Sequence, residues 1–301
     1  VLSLAHQRST FLVVAIMAIA ASLILPRPPA NVELIVAGAL IVFLGVPHGA
    51  LDILYVRRVL GIRLPRQFAL TLLSYVAISG LVVWLWVATP HAFLMAFLVA
   101  SGFHFSGDPE RGASPFTRVA TGVGVVALPA LFHSAELQHL YSLLTNRGAA
   151  ETVVEISYPL AIGVGFAGAV AVALEITRKH YAIAGELAAV LLLSTMAPPL
   201  LAFTIYFCLM HSARHILRTA EIVPISRRAF VIECILPMVA VLLVGGVAWR
   251  IQAVLPVDAK AIQILFVILA ALTAPHMIIV EPIRLRGWRG PKNPIPELAI
   301  G

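Results

Sequence analysis

Long apolar stretches recur along the whole chain, and the loops between them are too short to form a soluble domain. They lie at about residues 11–26, 33–56, 67–89, 92–106, 119–134, 158–176, 181–197, 199–218, 229–249 and 260–281. A helix needs about 20 apolar residues to cross a hydrocarbon core of about 30 Å, so the 301-residue chain has room for about eight to ten crossings. Lipid offers no partner for backbone N–H and C=O groups, so only helices and closed barrels can span it. The stretches show no alternation of period two, which argues against a barrel. The expected fold is therefore all-α, a polytopic transmembrane helical bundle of about 8–10 helices, with residues 1–301 forming a single integral membrane domain. The lower count applies if short stretches such as 92–106 are re-entrant or lie at the interface.

Charge content agrees. Only 12% of residues are charged and 60% are hydrophobic, whereas a water-soluble domain carries about a quarter charged residues. The net charge of +7 does not point to nucleic acid, because Lys and Arg occur in short runs between apolar stretches and not on one face. Their expected partners are membrane lipids. Cys208 and Cys234 both fall inside apolar stretches, so neither a disulfide framework nor a thiolate metal site is expected. The first stretch lacks a small-residue cleavage site before Pro26, Pro28 and Pro29 and reads as a retained helix.

Loop charges set a direction. Arg57, Arg58, Arg63 and Arg66 follow the second stretch, Arg178 and Lys179 the sixth, and Arg218, Arg227 and Arg228 the eighth. Arg284, Arg286, Arg289 and Lys292 follow the tenth, while the connection between the fifth and sixth carries Glu136, Glu151 and Glu155 against a single Arg147. Cationic loops favour the cytoplasm. A multi-pass protein of a bacterial inner membrane with both termini cytoplasmic is the expectation.

Ionisable side chains inside apolar helices are costly and face the bundle interior. His48 lies in PHGALD, His104 in HFSGD, and His211 and His215 in HSARH. On a helix, residues i and i+4 share a face, so His211 and His215 can reach one ion. With that topology, His48, His104 and the HSARH pair fall at a similar depth, which makes them the expected metal ligands. Asp52 and Asp108 each follow a histidine by four residues and are expected to accept the distal ring N–H of a ligand, fixing its tautomer and orientation. The alternative for both is solvation at a helix end or pairing with Arg214. His276, in APHM, is at the same depth and is assigned as a partner of the ligand shell, with direct ligation as the alternative. His6, His91, His133, His139 and His180 are expected to be structural or solvated. An all-imidazole site suits iron, copper, zinc or nickel better than magnesium or calcium. Phe103, Phe105, Tyr206 and Phe207 flank the histidines as candidate substrate-lining residues, with core packing as the alternative.

At PHGALD and HSARH the sequence resembles the Brp/Blh family of membrane β-carotene dioxygenases, and HFSGD and the Pro-His-Met around His276 fit in order and spacing. The resemblance covers most of the chain. It implies an Fe(2+) ion held by His48, His104, His211 and His215, Asp52 as a polar partner, O2 as co-substrate, and cleavage of the central double bond of β-carotene into two retinal molecules. A retinal-binding opsin is the candidate recipient of the product. Three rivals compete with this reading. A two-iron desaturase or hydroxylase would need about eight clustered histidines. A metal- or haem-binding transporter or electron-transfer protein would use opposed histidines. A carotenoid-binding protein without catalysis would leave the histidines unexplained. Cleavage of a carotenoid other than β-carotene is a further alternative.

Overall fold

A computed structural model describes residues 3–62, 64–223 and 226–288. Arg63, Arg289 and Lys292 from the loop-charge pattern lie outside the described residues. Among the described residues there is no strand, and eleven helices follow one another. They are α1 (Leu4–Ile24), α2 (Ala30–Val59), α3 (Pro65–Ala88), α4 (Pro90–Phe105), α5 (Pro115–Phe132), α6 (Ser134–Leu144), α7 (Arg147–Thr177), α8 (Tyr181–Met196), α9 (Pro199–Glu221), α10 (Arg228–Ile251) and α11 (Val257–Trp288).

All ten apolar stretches are helical, and eight of these helices are long and apolar enough to cross a bilayer. The other two, α4 and α8, have 16 residues each, about 24 Å at 1.5 Å per residue and short of a full hydrocarbon core. The chain is an all-α, multi-pass membrane bundle. The helix not expected from hydropathy is α6, which fills the supposed loop and buries Leu137 and Leu144. Likewise α7 starts at Arg147, well before the apolar stretch. Its cap is Asn146, whose side chain accepts from the Ala149 N–H at 2.9 Å. Glu151 and Glu155 therefore ride on its first turns and not on a loop. A polar helical turn gives no hydropathy signal, so these starts were invisible to it.

The outer surface is apolar. No residue in the most apolar stretch of α3 is buried by protein, and Leu73, Trp84, Leu236 and Val247 are among the exposed large side chains of α3 and α10. In water such patches would drive association; here lipid is the solvent.

Two interior features hold the helices in register. At the α4/α5 crossing, a Cβ on Gly122 would run into the Gly102 carbonyl oxygen and the Ser106 nitrogen, so only glycine allows this approach. The second is a buried polar network. Arg214 of α9 is almost wholly enclosed, pairs with Glu186 of α8, and donates from Nε to Gln7 Oε1 of α1 at 3.0 Å. Arg8 adds a second donor to Glu186 at 3.1 Å. A buried charge is tolerable only when paired and hydrogen-bonded in this way.

Candidate metal centre

The lower half of α2 is not a regular helix. Ile41–Gly45 forms a π turn, Val46–Leu51 a tighter 3-10 segment, Asp52–Leu54 a short α turn and Tyr55–Val59 a second π turn. Pro47 has no N–H to give the ladder. The Leu44 and Gly45 carbonyls instead accept from Ser212 Oγ at 2.7 and 3.0 Å. The Gly45 carbonyl also takes the Nδ1–H of His48 at 2.6 Å. A side chain at Gly45 would collide with the Phe207 ring, so glycine here lets α9 close on α2. The facing part of α9, Tyr206–Ser212, is a π segment as well and carries His211. Such π turns inside α-helices recur at functional sites.

His48 and His211 of these irregular segments meet His104 of α4, His215 of the regular end of α9 and His276 of α11, which gathers five imidazoles. Ring centroids lie 4.9 Å apart for His48 and His211, 5.6 Å for His48 and His215, and 5.2 Å for His48 and His276. His104 is 4.7 Å from His211 and 5.1 Å from His276, and His215 is 5.2 Å from His276. All but His215 are buried, and His215 is partly so. His48, His104 and His276 each offer a ligand atom within 4.8 Å of the others, a group with the composition and spacing to bind a metal ion. His276 thus stands among the imidazoles, not behind them.

Each anchored ring is held by its Nδ1. His104 Nδ1 lies 2.8 Å from Glu281 Oε1, His276 Nδ1 2.7 Å from Asp52 Oδ1, and His211 Nδ1 3.0 Å from both oxygens of Asp108. A carboxylate only accepts, so the ring N–H is on Nδ1 and the Nε2 lone pair is free. The buried Nε2 atoms of His104, His211, His215 and His276 have no protein hydrogen-bond partner. A buried acceptor without a donor is costly, and a shared metal ion would satisfy all of them. A ligand histidine donating its other N–H to a carboxylate is a common arrangement at metal sites. The donor set therefore fits a metal.

Both aspartates serve a histidine other than the one four residues before them. The 3-10 segment turns about 120° per residue against about 100° in an α-helix, so four steps carry Asp52 about 120° round from His48 instead of about 40°. Asp52 therefore faces α11 and also accepts from the Tyr75 hydroxyl at 3.1 Å. Asp108 lies beyond the end of α4, where the chain has turned toward α9, and also takes the Tyr206 hydroxyl at 2.5 Å. Burial alone would raise the Asp108 pKa. The His211 ring, the Tyr206 hydroxyl and the Arg218 cation outweigh it and hold the carboxyl below its ordinary range. Arg214 reaches Asp108 only through its backbone carbonyl, at 3.1 Å.

The aromatic candidates divide. Phe207 stacks on His211 at 5.5 Å and meets His48 edge-on at the same distance, and Phe105 stands 5.0 Å from His211. Tyr206 is bound into the Asp108 network. Phe103 is half exposed, with the Arg284 guanidinium over its ring. Sequence reasoning missed Glu281, Tyr75 and Ser212. A carboxylate at position 281 within an apolar stretch was the available signal for the first; a tyrosine or serine in such a stretch carries none.

Fold and site together define a multi-pass membrane protein with a buried imidazole centre suited to a transition metal. Comparison with known proteins narrows the class. Residues 39–283 match the family model described as Beta-carotene 15,15'-dioxygenase. The chain is 31% identical over 252 residues to the Beta-carotene 15,15'-dioxygenase of an uncultured marine bacterium, 66A03, covering 81% of this chain and 91% of that relative. It is 28% identical over 303 residues to the Probable beta-carotene 15,15'-dioxygenase Blh of Halobacterium salinarum, covering 84% of each. No solved structure matches the chain. The chain belongs to the beta-carotene 15,15'-dioxygenase family and is an enzyme of the carotenoid dioxygenase class.

Proposed function

We propose that the chain is an iron(II)-dependent dioxygenase that cleaves the central double bond of β-carotene into two molecules of retinal. The observation that carries this reading is the cluster of five imidazoles, in which the buried Nε2 atoms of His104, His211, His215 and His276 have no protein partner and the Nδ1 atoms of His48, His104, His211 and His276 are tied to Gly45, Glu281, Asp108 and Asp52. His48, His104, His211 and His215 would hold the metal, with His276 as a further imidazole placed to reach the same ion. Asp52, Asp108 and Glu281 are positioning residues that fix the tautomer and direction of the rings they touch. Bound iron would supply the activation of O2 that its addition across the central C=C bond requires.

The protein's own contribution is placement. Phe105 and Phe207 wall the cluster with apolar surface and keep water from the histidines, and the bundle lets a lipid-dissolved polyene reach them without entering water. In the net reaction one C=C bond breaks, and each of its carbons gains one oxygen atom of O2 as an aldehyde. Spacings of 4.7 to 5.6 Å between neighbouring rings leave no room for a porphyrin disc between opposed axial imidazoles, which disfavours the haem reading. The cationic ends of α2, α7, α9 and α11 favour placing the metal centre toward the cytoplasmic side of a bacterial inner membrane. A retinal-binding opsin is a candidate recipient for the product.

The test is expression in a host that accumulates β-carotene, with pigment chromatography and metal analysis of the purified protein. Retinal and about one iron per chain are expected, and both should be lost in His211→Ala and His104→Ala. Full retinal production by the alanine variants would overturn the assignment. Cleavage restricted to another carotenoid would revise the substrate alone.

A further inference from the structure

An open apolar groove of about 350 Å³ runs between the upper half of α2, α10 and the start of α11. It belongs to no part of the metal centre described above. Its α2 wall is Leu34, Gly38, Val42 and Val46, one residue in four, so the wall lies along a single helix face. Twelve residues at 1.5 Å each make that wall about 18 Å long, more than half of a hydrocarbon core of about 30 Å. Its opposite wall includes Gly246 and Trp249 of α10, and no charged side chain lines it.

The groove has a direction. Gly246 and Trp249 are exposed and Gly38 is half-buried, which leaves one end open to lipid, whereas Val46 and Leu269 toward the other end are buried. Val46 is two residues from His48 on the same 3-10 segment. The open end also carries an interfacial marker, because Lys260 Nζ lies 4.8 Å from the Trp249 ring. The trough is thus wholly apolar, starts in the bilayer and ends within one turn of a metal-site histidine.

The geometry points to this groove as the binding site for one hydrocarbon arm of the carotenoid, guiding the rod-shaped substrate from lipid to the histidine cluster. This rests on the carotenoid reading above. The absence of charge suits a polyene and gives nothing to a lipid headgroup. The two glycines keep the walls of the trough low: a Cβ added at Gly38 or Gly246 meets no other atom within 4 Å, so the backbone there accepts a larger side chain at the groove. Both sit in helices, where replacing glycine does not weaken the backbone.

The test uses Gly38→Phe and Gly246→Phe in the full chain, purified in lipid nanodiscs. Gly163→Phe serves as the control, since it lies on α7 with equally open surroundings and outside the groove. Carotenoid binding is followed by the visible absorption shift of the bound polyene. Turnover is followed with β-carotene and with a polyene in which one arm is clipped short. The groove variants should lower the preference in kcat/KM for β-carotene over the clipped polyene by about tenfold, mainly through KM, and weaken β-carotene binding to match. Gly163→Phe should keep the parent preference. Parent-like binding and preference in both groove variants would overturn the inference, whether the groove then held a lipid acyl chain or nothing. Equal losses for both polyenes, with unchanged binding, would overturn it too. A parent chain that binds β-carotene in a Gly38-sensitive way but forms no aldehyde would sink the catalytic reading and leave the groove standing.

Discussion

Replacing Asp52 tests whether the carboxylates govern the imidazole cluster. Its Oδ1 accepts from His276 Nδ1 at 2.7 Å in a buried bond, and its Oδ2 from the Tyr75 hydroxyl at 3.1 Å in a partly buried one. In Asp52→Asn the amide oxygen can still face His276, but a charge-assisted bond worth about 1.5–3 kcal/mol becomes a neutral one worth about 0.5–1.5. The difference, about 1–1.5 kcal/mol, is close to a tenfold loss of affinity for a metal that uses His276. Asp52→Ala goes further, because it leaves a buried N–H without an acceptor at a further cost of about 1–3 kcal/mol. Its affinity should fall by about a hundredfold or more. Tyr75→Phe removes the hydroxyl donor to Oδ2 and leaves the His276 bond to Oδ1 in place, so it should lose much less than either. Affinity is measured by anaerobic competition with a chromophoric chelator, and the ligand field by Co(2+) substitution. Metal affinity within twofold of the parent for both Asp52 variants, with an unchanged Co(2+) spectrum, would refute the role given to this carboxylate and to His276.

Other changes probe the frame. Gly122→Ala should cost about 1–3 kcal/mol or more, since its Cβ meets backbone atoms of α4 that cannot move independently, and a lowered detergent unfolding temperature would show it. Arg214→Ala leaves buried Glu186 with Arg8 as its one remaining cation and should cost up to about 3–5 kcal/mol; adding Glu186→Leu should restore part of the lost thermal stability, which separates a broken pair from a merely missing side chain. Glu281→Gln removes the charged acceptor of His104 and should weaken metal binding by about 10–100-fold, read by the same chelator competition, with little change in folded yield.

The fold was legible because lipid leaves so few choices: ten apolar stretches became ten helices. What hydropathy could not reveal was helix in polar sequence, hence α6 and the first turns of α7. In the site, the histidines were visible as ionisable side chains in an apolar solvent. That Asp52 and Asp108 would hold ligand rings was also expected, but which histidine each one holds was not, since i+4 spacing assumes an α-helix and the chain near His48 is wound as 3-10. A local periodicity argument fails where the backbone leaves the regular helix. Glu281 was missed for a simpler reason. Its partner His104 is distant in sequence, and only the packing of α4 against α11 brings the two together.

The mixed winding of α2 between Ile41 and Leu51 also affects which genetic changes the protein can absorb. Side chains there can vary in size where space allows, but the number of residues cannot. Removing or adding one ahead of His48 would rotate everything beyond it by about 100°, turning His48 out of the cluster and Asp52 away from His276 together. Substitutions in this stretch should therefore produce graded losses, whereas single-residue insertions and deletions should abolish the site outright, even when the membrane span itself still forms.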